Sequence, residues 1–336
     1  MKYTIPKMIV LGSLLLTALA AEAKTWRVNR TPGVHADFTQ LQLAHNNAEV
    51  RAGDTIYLEG AEDLYNSFAL SKRLVIIGTG YFLAENPGLQ YRPLMAQLGS
   101  LTIDSSASGT ELYGLKISNL YINSDVDNIR IIGCSTSLNG NTSRLNQRMS
   151  NWVVNKCYLY SVSYSGANYV FENLQLTNCI IASSVNVPYA SNTLFRNNVV
   201  SSVVTLANAY VANNIFLTNS TGLSFVNCAV KHNLSSTNNL PADNNNQRSV
   251  DMTTVYRGAA NGTAETRFQL IPGSPAIGAG EPVNGVTPDI GPFGTPDPYR
   301  LSGIPPIPTI YALTVPSAIP TTATSMTVTV STRSNN

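Results

Sequence analysis

The sequence predicts an all-β protein whose body is a right-handed parallel β-helix, a solenoid of short stacked strands. Three observations support this fold class. A short polar motif recurs with a period near 20 residues, and the region between Asn119 and Asn246 holds 26 Asn in 128 residues. Val, Ile, Leu and Phe are interleaved with these Asn residues, whereas helical repeats would show Ala, Glu, Lys and Leu at a spacing of 3.6. A solenoid with two or three short strands in each coil tolerates a varying period.

The repeated motif is a triplet that ends in Cys or Asn. The third members are spaced 23, 22, 19, 16 and 14 residues apart, and they are Cys134, Cys157, Cys179, Asn198, Asn214 and Cys228. Asn233 is an alternative last member and would make the final spacing 19. The residues that follow the triplets are mostly apolar: Ser135, Tyr158, Ile180, Val199, Ile215 and Ala229.

Stacking explains why Cys and Asn recur at one place. Equivalent residues of successive coils lie about 4.8 Å apart in a parallel β-helix, so Cys can fill an inward column and Asn can form an amide ladder. A β-sandwich would also have short, regular strands, but it does not explain this recurrence. An even number of Cys in an exported chain raises the possibility of disulfides, yet we favour buried free thiols because the chain is long enough to need no staples.

The first 23 residues have the parts of a secretory signal. Lys2 and Lys7 precede an apolar run at residues 8–20, and Ala21-Glu22-Ala23 offers a cleavage site after Ala23. A run of 13 residues is shorter than the roughly 20 that a spanning helix needs, so we expect no membrane span in the mature chain. We expect export to the periplasm, the cell surface or the medium.

Four segments follow from these patterns. Residues 1–23 are the signal, residues 24–60 form an N-terminal cap and first strand, residues 61–303 form the β-helix with a closing segment, and residues 304–336 form a Pro-rich segment with terminal strands. Within the cap, residues 37–50 are predicted to be a helix that begins at Asp37, with Phe38, Leu41, Ala44 and Ala48 on one stripe. Residues 54–58 are the predicted first strand. Residues 309–315 and 325–332 are predicted strands of a small β appendage.

Several segments resemble secreted proteins of the pectin-lyase-like class. These are Ala-Gly-Asp-Thr-Ile at residues 52–56, Leu-Val-Ile-Ile-Gly-Thr-Gly-Tyr at residues 74–81, the closing segment at residues 268–280 and 289–294, and the run at residues 298–308. The last run is similar to uncharacterised exported β-helix proteins of Bacteroidota. The resemblance frames residues 24–315 and implies the architecture. It does not imply one activity, because this superfamily includes pectate lyases, polygalacturonases, tailspikes and adhesins.

Enzymes of this class need several carboxylates on the middle coils. The lyases bind Ca²⁺ through carboxylates and use Arg or Lys as a base, and the polygalacturonases use two or three converging Asp. Here Glu172 is the only acidic residue between Asp127 and Asp243. A non-catalytic protein is therefore favoured. The best catalytic candidates are Asp125, Asp127 and Glu172, with Arg130 or Lys156 as the base. We expect no metal and no cofactor, except Ca²⁺ if the protein is a lyase.

A glycan is the partner that the sequence favours. The aromatic residues Tyr158, Tyr160 and Tyr164 lie close together, and a polar stretch before them carries Arg144 and Arg148. Flat rings on a long wall suit stacking against sugars. A net charge of +2 with 12% charged residues argues against a nucleic-acid partner. The sequence thus predicts a protein that binds a polysaccharide or cell-surface glycan. The alternatives are a polysaccharide lyase or glycoside hydrolase, and a structural component that assembles through its C-terminal strands.

Overall fold

The chain folds as a parallel β-solenoid of about nine turns, with 38% of its residues in strands and 7% in helices. The computed structural model describes residues 23–122, 124–140, 147–164, 166, 169–217, 222–294 and 296–335. The predicted all-β class and stacked parallel strands are confirmed. The predicted signal lies outside the described residues except for Ala23. No helix among the described residues is both long and apolar enough to span a membrane.

The strands are short, as expected for a solenoid. In chain order they are β1 (Thr25–Val28), β2 (Thr55–Leu58), β3 (Phe68–Leu70), β4 (Val75–Ile77), β5 (Gln97–Ile103), β6 (Glu111–Tyr113), β7 (Lys116–Ile122), β8 (Val126–Asp127), β9 (Arg130–Ile132), β10 (Ser135–Gly140), β11 (Gln147–Ser150), β12 (Val153–Asn155), β13 (Tyr158–Ser163), β14 (Tyr169–Glu172), β15 (Gln175–Thr177), β16 (Ile180–Ile181), β17 (Val185–Val187), β18 (Ala190–Ser191), β19 (Thr193–Arg196), β20 (Val199–Val200), β21 (Val204–Ala207), β22 (Ala209–Ala212), β23 (Ile215–Phe216), β24 (Leu223–Val226), β25 (Ala229–Lys231), β26 (Leu234–Ser235), β27 (Thr309–Thr314) and β28 (Thr329–Arg333). In the part of the chain that the structure describes, one α-helix, α1, spans Leu41–Asn46. Short 3₁₀ turns occupy Ser105–Ala107, Met252–Thr254, Ala259–Asn261, Thr266–Phe268 and Leu301–Gly303.

Three parallel sheets form the walls of the solenoid. Sheet 1 has ten strands: β1, β2, β4, β6, β9, β12, β15, β19, β22 and β25. Sheet 2 has twelve: β3, β5, β7, β10, β13, β16, β17, β20, β21, β23, β24 and β26. Sheet 3 has four: β8, β11, β14 and β18.

Strict register stacks like on like along the axis. The inward column of sheet 1 is apolar throughout, and no member is more than 6% exposed: Trp26, Ile56, Ile76, Leu112, Ile131, Val154, Leu176, Phe195, Val211 and Val230. Because side chains alternate along a strand, the neighbouring positions face outward. Burial of this column and its counterparts in the other sheets forms the main core.

The first corner, where the chain turns after each sheet 1 strand, explains the sequence repeat. From the fourth strand of that sheet onward the corner residue has a φ between 52° and 58°, and the series is Gly114, Gly133, Lys156, Asn178, Asn197, Asn213 and His232. Gly and Asn adopt this left-handed backbone at the least cost. The next residue points inward and is fully buried: Leu115, Cys134, Cys157, Cys179, Asn198, Asn214 and Asn233.

The predicted column is therefore confirmed except at its last member. Cys228 follows a different corner residue, Asn227, and is only partly buried, so Asn233 completes the column. All four cysteines are free thiols, as predicted. Burial raises the pKa of Cys134 and of Cys179.

Two amide ladders run along the solenoid, as the Asn content predicts. In the buried ladder, Asn198 Nδ2 donates to Asn214 Oδ1 at 3.0 Å and Asn214 Nδ2 donates to Asn233 Oδ1 at 2.9 Å. An exposed ladder follows the second corner, before each sheet 1 strand, where Asn151 Nδ2 donates to Asn128 Oδ1 at 3.1 Å and Asn173 Nδ2 donates to Asn151 Oδ1 at 2.9 Å. The buried ladder satisfies amide groups that would otherwise be costly to desolvate.

The N-terminal cap differs from the prediction. The helix begins at Leu41, not after Asp37, because Asp37 Oδ2 accepts a hydrogen bond from the backbone N–H of Arg27 at 2.7 Å instead of capping a helix. Phe38 pairs with Val28 beside β1, a strand that the sequence analysis missed. Leu41 and Ala44 are buried, but Ala48 is exposed.

The chain after the last coil returns along the side of the solenoid as an irregular segment, residues 251–308, which we call the strap. His232 Nδ1 lies 3.2 Å from the carbonyl of Ala279, the N–H of Gly291 donates to Asn213 O at 2.9 Å, and Asn178 Nδ2 donates to Asp297 O at 3.2 Å. At the far end, the N–H of Tyr81 donates to Ser302 O at 2.9 Å. The strap therefore crosses the first corner from the last coils back to the early ones.

Glycine at the early corners permits this close approach. A Cβ atom at Gly80 would lie 2.5 Å from Ser302 O, and one at Gly114 would lie 2.9 Å from Pro305 Cδ. The predicted closing segment at residues 268–280 and 289–294 thus lies along a side of the solenoid. Leu240, which is 3% exposed, packs against the main core beyond the last strands.

A second hydrophobic core lies between the strap and the outer face of sheet 2. The strap contributes Val255, Phe268, Ala276, Ile290 and Tyr299, and sheet 2 contributes Tyr158, Ile180, Val199, Ile215 and Leu234. All ten side chains are at most 5% exposed. This part of the outer face of sheet 2 is therefore buried beneath the strap and is not exposed to solvent.

A buried carboxyl group fastens the far end of the strap. Glu265 is fully buried and accepts hydrogen bonds from Asn86 Nδ2 at 2.7 Å, Tyr299 Oη at 2.5 Å and the backbone N–H of Ser302 at 2.9 Å. Tyr299 Oη in turn lies 2.7 Å from Tyr81 Oη. Burial raises the pKa of Glu265 to about 7, although these hydrogen bonds act in the opposite direction.

Candidate functional site

Sheet 3 brings the three candidate catalytic carboxylates together. Its register places Asp127 beside Ser150 and Ser150 beside Glu172 in one outward column. Asp127 and Glu172 are therefore two strand spacings apart, about 9.6 Å along the axis. Asp125 lies just before β8, and its Oδ1 accepts a hydrogen bond from the backbone N–H of Arg148 at 2.8 Å.

Each of these carboxylates is already engaged by a neighbour. Asp127 Oδ1 accepts hydrogen bonds from Ser150 Oγ at 2.6 Å and from the Ser150 N–H at 2.9 Å. Glu172 forms an ion pair with Arg148. These contacts join successive coils across sheet 3, so the carboxylates act as ties between strands.

The two candidate bases do not reach sheet 3. Arg130 lies on the outer face of sheet 1, where its Nε is 3.4 Å from Glu111. Lys156 occupies the first corner and forms an ion pair with Asp297 of the strap. Among the described residues, no three His, Cys, Asp or Glu side chains converge as a metal-binding group.

Only one of the three predicted stacking tyrosines is accessible. Tyr160 is 39% exposed, whereas Tyr158 is 5% exposed and packs edge-on against Phe82 beneath the strap. Tyr164 is 1% exposed and packs in the main core against Phe171, with ring centroids 4.9 Å apart. Arg148 is 65% exposed on sheet 3, and Arg144 lies outside the described residues. The predicted tyrosine surface is thus reduced to Tyr160.

A longer surface lies where the strap meets the outer face of sheet 1, and we call it the seam furrow. Three cavities of about 360, 160 and 390 Å³ follow this seam. The first is lined by Arg27, Tyr57 and Pro308, the second by Ile132 and Pro305, and the third by Arg196, Val286 and Pro288. Arg27 in β1 and Arg196 in β19 are seven strand steps apart, so the seam extends over about 34 Å.

The floor of the seam furrow follows one outward column of sheet 1, and five of its eight members line the cavities: Arg27, Tyr57, Ile77, Ile132 and Arg196. In register order its members are Arg27, Tyr57, Ile77, Tyr113, Ile132, Asn155, Thr177 and Arg196. Seven of the eight are half-buried and Arg27 is exposed. The column thus offers two flat aromatic rings together with amide, hydroxyl and guanidinium groups, which is the mixture that orients ligands in concave sites.

Charges along this face are paired within the protein. Arg27 Nε lies 2.6 Å from Glu59, and Lys231 Nζ lies 2.7 Å from Glu281. Partial burial acts to raise the pKa of Glu281, but hydrogen bonds from Lys231 and Tyr210 outweigh it and leave that pKa below its ordinary value. Glu281 is therefore ionised at neutral pH. Arg300, which lines the second cavity, is an exception to this pairing, because its Nη1 donates to the carbonyl of Asn335 instead of a carboxylate.

Sequence reasoning missed the seam furrow because its second wall comes from the strap, some 90 to 280 residues away in the chain from the sheet that it faces. One signal was available. The apolar residues after the repeat triplets imply that another part of the chain covers the outer face of sheet 2. The border of that covering segment must then lie beside the outer face of sheet 1.

No family model, curated protein or solved structure matches the chain.

Proposed function

We propose that the protein is an exported, non-catalytic β-solenoid protein that binds a glycan along the seam furrow. The observation that carries this proposal is the extent of the furrow, since its cavities follow seven strand steps of sheet 1. A linear polymer fits such a site better than a compact ligand does. The segments that resemble secreted pectin-lyase-like proteins, including those of Bacteroidota, agree with a polysaccharide as the polymer and with the export that residues 1–23 predict.

The chemistry of the furrow floor favours sugars over other polymers. Tyr57 lines the first cavity and offers a ring on which a sugar can stack. Farther along the column, Asn155 Nδ2 donates to Thr177 Oγ1 at 2.8 Å, so Asn155 Oδ1 is the side-chain group left to accept from a sugar hydroxyl. A nucleic acid would need a cluster of unpaired basic residues, whereas Arg27, Arg130, Lys156 and Lys231 each have an acidic partner here.

A carbohydrate-active enzyme is the second candidate, and one observation favours it. The strands that carry Asp127 and Glu172 are about 9.6 Å apart along the axis, just beyond the roughly 6.5–9.5 Å that separates the two carboxyl groups of an inverting glycosidase. The engagement of both side chains by Ser150 and Arg148 weighs against it, since a catalytic acid or base must be free to exchange protons with the substrate.

The test is a binding and cleavage screen of the purified protein against acidic and neutral polysaccharides, with and without Ca²⁺. We expect binding without new reducing or unsaturated ends. Replacing Tyr57 with Ala should weaken binding at least tenfold, about 1.4 kcal/mol, because it removes the most accessible ring face at the first cavity. Tyr189→Ala is the matched control, because Tyr189 is a 45% exposed tyrosine away from the furrow.

Two outcomes would reject the glycan-binding proposal: no polysaccharide is bound, or Tyr57→Ala binds as well as the wild type. Tyr160→Ala separates the seam furrow from the surface predicted by sequence, since a loss confined to that variant would move the site to sheet 2. Cleavage that disappears in an Asp127→Ala, Glu172→Ala double variant would establish the enzyme instead.

A further inference from the structure

The C-terminal hairpin, which we define as β27, β28 and the turn between them, is the most apolar exposed part of the molecule. The two strands pair antiparallel, from Thr309 with Arg333 to Thr314 with Thr329. Of the seventeen exposed large apolar side chains among the described residues, seven lie in this hairpin and are 39–51% exposed: Ile310, Tyr311, Val315, Ile319, Met326, Val328 and Val330.

The base of the hairpin is fixed to the body. Arg333 Nη2 donates to Leu89 O at 2.7 Å, Asn335 Nδ2 donates to Ile307 O at 2.7 Å, and the N–H of Tyr91 donates to Ile310 O at 2.9 Å. The last contact covers part of the free edge of β27. The hairpin is therefore held in a defined direction and presents β28 as its open side.

The outer edge of β28 has no strand partner. Among the described residues, the backbone groups of Thr329–Arg333 pair only with β27. Natural proteins usually protect such an edge with Lys, Pro or a bulge. β28 contains neither Lys nor Pro, and the register shift of the hairpin lies on β27, between Ile310 and Ala312. A two-stranded sheet is also marginal alone, and three or more strands with an apolar face are needed for independent stability.

We propose that β28 pairs antiparallel with β28 of a second copy of this chain, which completes a four-stranded sheet across a two-fold axis. A contact of this kind uses the same surface on both partners, so that surface must be complementary to itself. Arg333, the last residue of β28, is the one charged residue between residues 301 and 333, and its guanidinium is held against Leu89 O and the Tyr311 ring of its own chain. The rest of the edge is uncharged, so like charges do not oppose the approach of a second copy, and a partner that recognised charge would find little to complement.

Self-pairing also accounts for the apolar side chains beside the edge. Val330 lies opposite Leu313 on one face of the hairpin, and Met326 and Val328 are exposed in the segment just before β28. Doubling the sheet places these side chains next to their symmetry mates and removes apolar area from water.

The pairing goes beyond the proposed glycan binding and does not depend on it. If both hold, each dimer carries two seam furrows, and a long polymer would be held with higher avidity.

Sedimentation velocity of the purified protein without any glycan tests the proposal. We expect a dimer that dissociates on dilution. Val330→Lys should shift the protein to monomer at concentrations where the wild type is dimeric, because it places a charge on both sides of the new pair. Val203→Lys is the matched control, because Val203 is 47% exposed on the solenoid against 51% for Val330. It should remain dimeric.

Hydrogen exchange of the wild-type protein gives a second test, which does not depend on the folding of any variant. In the wild type, amides of β28 should gain protection as concentration rises, while those of sheet 1 should stay unchanged. A wild-type monomer at every concentration would overturn the proposal, as would a dimer that Val330→Lys leaves intact or that Val203→Lys disrupts. A monomer that binds vesicles of neutral phospholipid through the hairpin would assign this face to a lipid surface instead.

Discussion

The residues just before the first corner face outward from sheet 1, and those just after it face outward from sheet 2. The strap covers these two outer faces to different extents. After the corner, sheet 2 presents Tyr158, Ile180, Val199, Ile215 and Leu234, and the strap buries them in a second core. Before the corner, sheet 1 presents Asn155, Thr177, Arg196 and Lys231, which stay half-buried beside the seam furrow, whereas Ala212 of the same column is buried. In a solenoid, therefore, an outward column can be core or binding surface according to what the rest of the chain covers.

The largest expected effect comes from opening the covered face. Ile290 of the strap is fully buried, so Ile290→Ala should lower the free energy of unfolding by about 2–5 kcal/mol through lost burial and the cavity left behind. Chemical denaturation measures this change. Ile277 is the same residue type on the same strap but is 49% exposed, and Ile277→Ala should change stability by about 0.5 kcal/mol or less. Equal effects of the two substitutions would mean that the strap does not pack on sheet 2 in solution.

A smaller effect is the pH dependence of stability, which differs between Glu265 beneath the strap and Glu281 on the open face. Glu265, beneath the strap, has no cationic partner among the described residues, and its pKa is raised from 4.5 to about 7. The folded protein thus binds more protons than the unfolded chain between these values. The stabilisation is fully present below about pH 4.5 and is lost as pH rises to about 7, with a total on the order of 3 kcal/mol.

Glu265→Gln should remove that pH dependence, as measured by denaturation at a series of pH values. Tyr81, Tyr158, Tyr299 and Glu85 are the titratable groups around Glu265, and Glu85 also raises its pKa. Glu281 on the open face has the opposite sign, because its pKa is lowered and its contribution is lost as pH falls through that value. A wild-type stability that rises between pH 5 and 7, with an unchanged profile in Glu265→Gln, would contradict the burial of Glu265.

The repeat was the part of the fold that the sequence could predict, because it rests on local chemistry. A left-handed corner favours Gly or Asn, which hold five of the seven corner positions, and the buried position that follows is Cys or Asn in six of seven coils. Cys134, Cys157, Asn198 and Asn214 therefore form a repeat that the sequence shows directly. Cys228 was misassigned because the second corner also uses Asn, and spacing alone does not distinguish the two corners.

The candidate site was harder to predict because it depends on contacts between distant parts of the chain. The register of sheet 3 brought Asp127 and Glu172 into one column, as expected for neighbouring coils, but the sequence did not reveal that Ser150 and Arg148 engage them. The sequence predicted that Tyr158 and Tyr160 lie close together, and their ring centroids are 5.4 Å apart. It did not reveal that the strap buries Tyr158, since the strap begins almost 100 residues later.

The most direct test of the central claim is the affinity of the wild-type protein for an oligosaccharide series of increasing length, measured by calorimetry with the polysaccharide class that the screen identifies. If the glycan lies along the seam furrow, affinity should rise with each added sugar until the ligand spans about 34 Å, the seven strand steps from β1 to β19, and then level off. An affinity that is already maximal for a mono- or disaccharide would contradict an extended site and place the glycan in a single cavity.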